Sequence, residues 1–351
     1  MMSTILVTTD YLAPGDEVDT YLTGLGFTTR HDPMRGARRP EQLIAALAGV
    51  EGALIANEPM TAEVLRRATE LRAVVRTGVG YDSVDVAAAG RLGISVSNLP
   101  GINANAVAEY TIGLLLAQAR CLVPMAAAVA AGRWPRTDGR ELRGRTLGLI
   151  GRGAVARQVA PLAAAFGMTV LCTGSLPAPV TRVPLDQLLR DSDFVSVHTA
   201  LTPLTHHLVD AAALARMKPG AHLINTARGP IVDETALVDA VRSGRLAGAA
   251  LDVVDVEPLP ADSILRGVDG ITVYSHMAGQ TAEARLAAGM EGARELVAAL
   301  DGRPAHSRTD PNSRTDRNSG TEANPRTELN SRTELNSHTD LNSRTDLKEP
   351  A

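Results

Sequence analysis

RTLGLIGRGAVARQVA, residues 145–160, is the stretch on which the fold turns. Residues 147–150 are a short apolar run of strand length. They lead into Gly151-Arg152-Gly153-Ala154-Val155-Ala156 and then into a helical pattern. This is the G-x-G-x-x-G/A arrangement, standing between a strand and a helix as it must to have meaning. Gly151 permits the tight turn, Gly153 lets the backbone approach a pyrophosphate, and Ala156 is small where helix meets strand. The first N–H groups of the helix lack intrahelical acceptors, and with the helix dipole they hold phosphates. A glycine-rich turn alone occurs in α/β proteins of many kinds. In this context Gly151, Arg152, Gly153, Ala154 and Val155 become the expected contacts of a dinucleotide.

The same alternation extends to both sides. Upstream, strand-like runs at 5–8, 53–55 and 73–76 are separated by helical patterns at 17–25, 40–47 and 62–68. Pro100-Gly101 punctuates the chain, and a long helical stretch follows at 104–120. Downstream, further strand-like runs fall at 170–171, 194–197, 222–225, 248–252 and 271–274. Strands alternating with helices predict parallel sheets covered on both faces. Two such blocks in 351 residues predict two domains with a cleft between them. The longest apolar run, 111–132, is interrupted by Gln118 and Arg120 and contains Pro124, so it reads as a buried helix and not a membrane span.

Composition narrows the function classes. The formal charge, 35 − 39 = −4, carries no nucleic-acid footprint. Cys121 and Cys172 are too few and too far apart for a disulfide scaffold or a zinc spacing. The opening MMSTILVTTD has neither a basic segment nor a long apolar one, so the expected location is cytoplasmic, with no membrane partner. From Ser307 a six-residue repeat runs to the end, with Thr at 309, 315, 321, 327, 333, 339 and 345, each followed by Asp or Glu. Its hydrophobicity is too low to offset the entropy of ordering, so residues 307–351 are expected to be a disordered tail that chemistry does not need.

The cofactor loop lacks one part. An Asp or Glu ordinarily closes the next strand, about 20 residues on, and holds the adenosine ribose hydroxyls. Here the run is Val170-Leu171-Cys172-Thr173-Gly174-Ser175, and the first acid afterwards is Asp186. Gly174 and Ser175 therefore predict a preference relaxed or shifted toward NADP, with NAD as the alternative.

Three segments follow strands: Asn225-Thr226-Ala227-Arg228-Gly229-Pro230, Asp252-Val253-Val254-Asp255-Val256-Glu257-Pro258 and Ser275-His276-Met277-Ala278-Gly279. Ligands of open α/β sheets bind at that edge. An arginine grips a carboxylate and polarises the adjoining carbonyl. A histidine moves the hydroxyl proton, and a carboxylate beside it balances the imidazolium and fixes its orientation. Arg228, Glu257 and His276 are thus the candidate catalytic set. Singly, each has an ordinary structural reading, as surface cation, turn residue and strand-end residue. His198, His206 and His207 are read as structural and not as a metal site.

With these residues the chain resembles the D-isomer-specific 2-hydroxyacid dehydrogenase family, in its phosphoglycerate dehydrogenase-like branch, over about residues 1–305. The resemblance also rests on Arg76-Thr77-Gly78-Val79-Gly80-Tyr81-Asp82-Ser83-Val84-Asp85 and on Asn98-Leu99-Pro100-Gly101-Ile102-Asn103-Ala104-Asn105-Ala106-Val107-Ala108-Glu109. It implies Arg228 as the substrate arginine, His276 as acid/base and Glu257 as its partner. It implies substrate contacts at Gly78, Val79, Gly80 and Asn103, and a nicotinamide end lined by Thr226, Ala227, Asp252 and the segment ending at Gly279. The implied fold is a Rossmann-type dinucleotide domain, 99–283, inserted into a smaller flavodoxin-like substrate domain, 1–98 and 284–306, in a homodimer. Ala156 for the third glycine, Gly174 for the acid, and the repeats depart from the family pattern.

The implied reaction moves a hydride between NAD or NADP and C2 of a small D-2-hydroxy or 2-oxo acid. 3-Phosphoglycerate, hydroxypyruvate and glyoxylate are the candidates. Pocket identity is expected to depend on side chains at 57–60 and near Trp134. The same fold and triad occur in dinucleotide-sensing corepressors, which turnover of a 2-oxo acid would separate. Phosphite oxidation is a further alternative within the fold, whereas Glu257 speaks against formate oxidation.

Overall fold

The computed structural model describes residues 3–33 and 39–303. The repeats, and residues 304–306 of the expected substrate domain, lie outside the described residues. Strands β1 (Thr4–Val7), β2 (Thr28–His31), β3 (Gly52–Ile55), β4 (Ala73–Arg76) and β5 (Ser95–Ser97) form one parallel sheet in the order β2-β1-β3-β4-β5. That is the flavodoxin-like order. Helices α1 (Glu17–Gly24), α2 (Pro40–Ala46), α3 (Ala62–Arg67) and α4 (Val86–Arg91) connect the strands. Asp16, Thr61 and Asp85 cap three of them by accepting an N–H from the first turn, and Pro40 opens α2 where no N–H is needed. The central β3 is buried along its whole length, as a strand covered on both faces must be.

The second sheet is built by β6 (Thr146–Ile150), β7 (Thr169–Cys172), β8 (Thr181–Arg182), β9 (Phe194–Val197), β10 (Ala221–Asn225), β11 (Leu246–Leu251) and β12 (Ile271–Val273). Its order, β12-β11-β10-β9-β6-β7-β8, is the doubly wound one, all parallel, with the topological switch between β6 and β9. Its helices are α5 (Ala104–Ala119), α6 (Leu122–Ala130), α7 (Ala154–Ala165), α8 (Leu185–Asp191), α9 (Ala211–Arg216) and α10 (Glu234–Arg242). The last helix, α11 (Ala282–Leu300), returns to the first sheet. Its Leu296 and Leu300 press on β3 at Gly52, where a Cβ would stand 3.2 and 3.1 Å from them. They share a core with Ile5, Val7, Leu22 and Leu54.

One expectation is corrected. The apolar run 111–132 is not one buried helix. Cys121 adopts φ +52, the left-handed region, and the axes of α5 and α6 diverge by 65°. Nine residues of α5 are buried, but only Ala128 of α6 is. Among the described residues no single helix is long and apolar enough to cross a membrane, although this bent pair is by length and composition. The periodicity also passes over β2, β5, β8 and α4. Strand β2 is a polar edge with alternating exposure, β5 has three residues and β8 two, too little for an apolar signal.

Candidate active site

The turn after β6 is built as its glycines require. Gly151 has φ +107, and a Cβ there would overlap the carbonyl of His198, the residue following β9. Its N–H donates to Thr173 Oγ1 at 3.0 Å, and the Cys172 thiol donates to its carbonyl at 3.2 Å, which ties the loop to the end of β7. Gly153 caps α7 with nothing within 4 Å of where a Cβ would stand. This open cradle before the free N–H groups of a twelve-residue helix fits a pyrophosphate. Ala154 begins that helix, Val155 is half-buried, and Ala156 is fully buried against the sheet, in one core with Leu147 and Leu149. Gly174 is buried and Ser175 exposed at the end of the next strand. Among the described residues no group of three or more His, Cys, Asp or Glu is placed to hold a metal ion.

A cleft of about 450 Å³ opens between the two sheets. Gly78, Val79 and Gly80 line it from the loop after β4, Asn103 from the N-terminus of α5, and Thr226, Arg228, Asp252, Glu257, His276 and Gly279 from the second sheet. Residues distant in sequence thus share one space. Asn103 packs on Gly279, where a Cβ would stand 2.5 Å from its Nδ2. Ala227 donates its N–H to Asn225 Oδ1 at 3.0 Å, and Thr226 Oγ1 lies 3.3 Å from Thr111 Oγ1.

His276 Nδ1 lies 2.8 Å from Glu257 Oε2, which leaves Nε2 as the ring nitrogen available to a ligand. The His276 backbone sits at φ +58, unusual for a side-chain-bearing residue. It is held there by Asp252. The His276 N–H donates to the Asp252 carbonyl at 2.8 Å, and the N–H groups of Met277 and Ala278 donate to its two carboxylate oxygens at 2.8 Å each. Burial pushes the Asp252 carboxyl up, more than those two amides lower it. Burial also acts to raise Glu257, but the hydrogen bond and charge of His276, with the Val254 amide and Arg228, hold it below the usual range.

Arg228 reaches the cleft from the turn after β10. Its Nε donates to Asp82 Oδ1 at 3.0 Å and its Nη1 to the Ala227 carbonyl at 2.8 Å. A Cβ on Gly80 would overlap its guanidinium, and one on Gly229 would overlap the backbone of Val254. Burial would raise the Asp82 carboxyl, but the Arg228 charge holds it low. A second guanidinium lies beside the same loop: a Cβ on Gly78 would overlap Arg76. Arg76 donates to Asn57 Oδ1 at 2.6 Å and keeps a buried Nε without a hydrogen-bond partner. Burial, then the charge of Arg228, lowers the Arg76 pKa.

Asp82 stood in the motif at 76–85 without a role, and its pairing with Arg228 across 146 residues leaves no trace in local pattern. Tyr11 and Arg285, in cation–π contact at 5.4 Å, also line the cleft unannounced. Of the four residues at 57–60, only Asn57 lines it. Trp134 does not, and is 80% exposed. Its position after α6 carries it away from the cleft of its own chain. His198 is buried with Ser196 Oγ 2.9 Å from its Nε2, and burial holds it down at about 3. The rings of His206 and His207 stack on each other at 4.2 Å, outside the cleft.

A family profile described as D-isomer specific 2-hydroxyacid dehydrogenase, NAD binding domain, matches residues 112–278. The hydroxypyruvate reductase of Thermotoga maritima is 40% identical over 241 residues, 66% of this chain and 78% of that protein. The glyoxylate reductase of Thermofilum pendens is 36% identical over 288 residues, 78% of this chain and 82% of that protein. Among solved structures, the TT0316 protein from Thermus thermophilus superposes with a TM-score of 0.80 at 36% identity, covering 88% of this chain and 100% of that one. The chain therefore belongs to the D-isomer specific 2-hydroxyacid dehydrogenase family, and is an NAD(P)-dependent oxidoreductase that interconverts 2-hydroxy and 2-oxo acids.

Proposed function

We propose that this chain reduces a small 2-oxo acid of the glyoxylate or hydroxypyruvate type, with Arg228, Glu257 and His276 as its working side chains. The observation that carries the reading is the meeting of the His276–Glu257 pair, 2.8 Å apart, with Arg228 and the Gly78–Gly80 loop in one cleft. A bound NAD(P) supplies or accepts the hydride. Arg228 grips the acid's carboxylate and polarises its carbonyl, and the backbone at 78–80 takes the other side of the carboxylate. His276 gives a proton from Nε2 to the oxygen on C2 in reduction and recovers it in oxidation. Glu257 occupies Nδ1 and so orients the ring. Asp252, with its oxygens taken by Met277 and Ala278, holds the His276 segment in place.

The described residues within 1–98 and 284–306 are the lobe that receives the acid, and 99–283 receives the dinucleotide. Arg76 and Asn57, on the wall of the cleft, suit a polar or anionic substituent on C3. The protein works as a homodimer in the cytoplasm, without nucleic-acid or membrane partners. Leu122, Val123, Val129 and Trp134, 42–80% exposed, form an apolar stretch that a second copy would cover. A panel of glyoxylate, hydroxypyruvate and the oxo form of 3-phosphoglycerate, followed by reduced-cofactor absorbance, tests the substrate reading. Turnover of neither glyoxylate nor hydroxypyruvate would overturn it.

A further inference from the structure

We propose that Arg152 makes this enzyme select NADP(H), by holding a cation at the place where NAD-selective Rossmann domains hold a carboxylate. The proposal rests on the dinucleotide reading of the loop at 151–156. In such domains an acid at the end of the second strand accepts hydrogen bonds from the ribose hydroxyls and repels a 2′-phosphate. Here that strand is β7, and Gly174 stands just past its end.

The structure shows what Gly174 is for. Its φ is not in the left-handed region, so no turn requires a glycine there. A Cβ at that position would stand 2.6 Å from both Cβ and Cδ of Arg152 and 2.8 Å from its Cγ. The stem of Arg152 therefore lies across Gly174 and fills the volume of the missing acid side chain. Because the crowding includes the Arg152 Cβ, the arginine could not swing aside for a larger residue without backbone movement. Arg152 and Gly174 act as a pair, which the sequence separates by 22 residues and the parallel register of β6 and β7 brings together.

The surroundings have the same sign. From 142 to 185 the chain contains Arg143, Arg145, Arg152, Arg157 and Arg182 and no Asp or Glu. Arg182, exposed on β8, is the register partner of Cys172, two residues before Gly174. Ser175 is exposed next to Gly174 and carries a hydroxyl. A phosphate monoester, with close to two negative charges at neutral pH, is the ligand this end of the sheet suits. A 2′-hydroxyl would find none of the acceptors it ordinarily uses.

A guanidinium lying flat on the adenine would serve NAD and NADP alike, so the decisive quantity is the 2′-phosphate increment. Calorimetric titration of the full chain with 2′,5′-ADP and with 5′-AMP measures it without turnover. The wild type should bind 2′,5′-ADP at least about 10-fold more tightly, ~1.4 kcal/mol. Arg152→Ala and Arg152→Gln should lose that increment, keep 5′-AMP affinity and keep their melting temperature. The double variant R152G/G174D, in which the acid no longer meets any side-chain atom at 152, should favour 5′-AMP and NADH. Equal loss of both ligands on replacing Arg152, or a wild type indifferent to the 2′-phosphate, would overturn the proposal. Failure of both ligands and both dinucleotides to bind would instead overturn the dinucleotide reading beneath it.

Discussion

His276 works from a backbone that ordinary side chains avoid. At φ +58 any residue with a Cβ is strained by ~1 kcal/mol or more, and asparagine, like histidine, tolerates that region better than alanine does. His276→Asn is thus the cleaner test. It should lower kcat by about 10²-fold or more at an unchanged melting temperature, because only the proton-moving group is gone. Glu257 is held ionised below the ordinary carboxylate range. Its contribution to stability is therefore full above the unfolded value near 4.5 and lost as pH falls through the lower folded one. Glu257→Gln should abolish that acid-side loss in a series of urea midpoints and lower kcat at every pH, since the ring loses its anionic partner. Arg228→Lys keeps the charge but cannot hold Asp82 through Nε and an acid through a planar fork together. It should raise KM for the oxo acid and lower kcat, leaving the dissociation constant of the dinucleotide near normal. The candidacy of these three was legible because each follows an apolar run at a strand end. The use made of Arg228 was not, because Asp82 is its partner only once two sheets face each other.

Among the elements, β9 contributes a pH response that lies outside the cleft. His198 follows that strand, under Gly151, and is neutral, held down at about 3 by burial. The unfolded chain takes up this proton near 6.5 and the folded chain only near 3, so stability falls as pH drops through that window. His222, held down to about 4 by burial and then by Arg140, acts in the same window. Denaturant midpoints should decline from pH 6.5 to 4, and His198→Gln should flatten part of the decline. An unaltered slope in that variant would remove His198 as the source. Periodicity announced β9 itself, since its four residues are all buried. It did not announce the neutral state of His198, which depends on what covers it.

At the scale of the molecule, α6 stands out: a helix of nine mostly apolar residues that buries only Ala128. Leu122, Val123, Val129 and Trp134 are all exposed, and they are the side chains proposed above to be covered by a second copy. Replacing Val129 and Trp134 together by Asp should convert a dimer into monomer in sedimentation velocity, with near-UV circular dichroism of the remaining fold retained. A wild type already monomeric at micromolar concentration would refute the interface.

Local pattern was enough for the two α/β blocks, the parallel sheets, the turn at Gly151 and the candidate roles of Arg228, Glu257 and His276. Each of these follows from side-chain period, glycine placement or the chemistry of a strand end, all readable within a few residues. The tertiary structure alone decided the pairings. It put Asp82 on Arg228, Arg152 across Gly174 and α6 outside the core. Such contacts join residues tens to more than a hundred positions apart, and a contact of that kind is fixed by how sheets and helices stack, which no window of neighbouring residues contains.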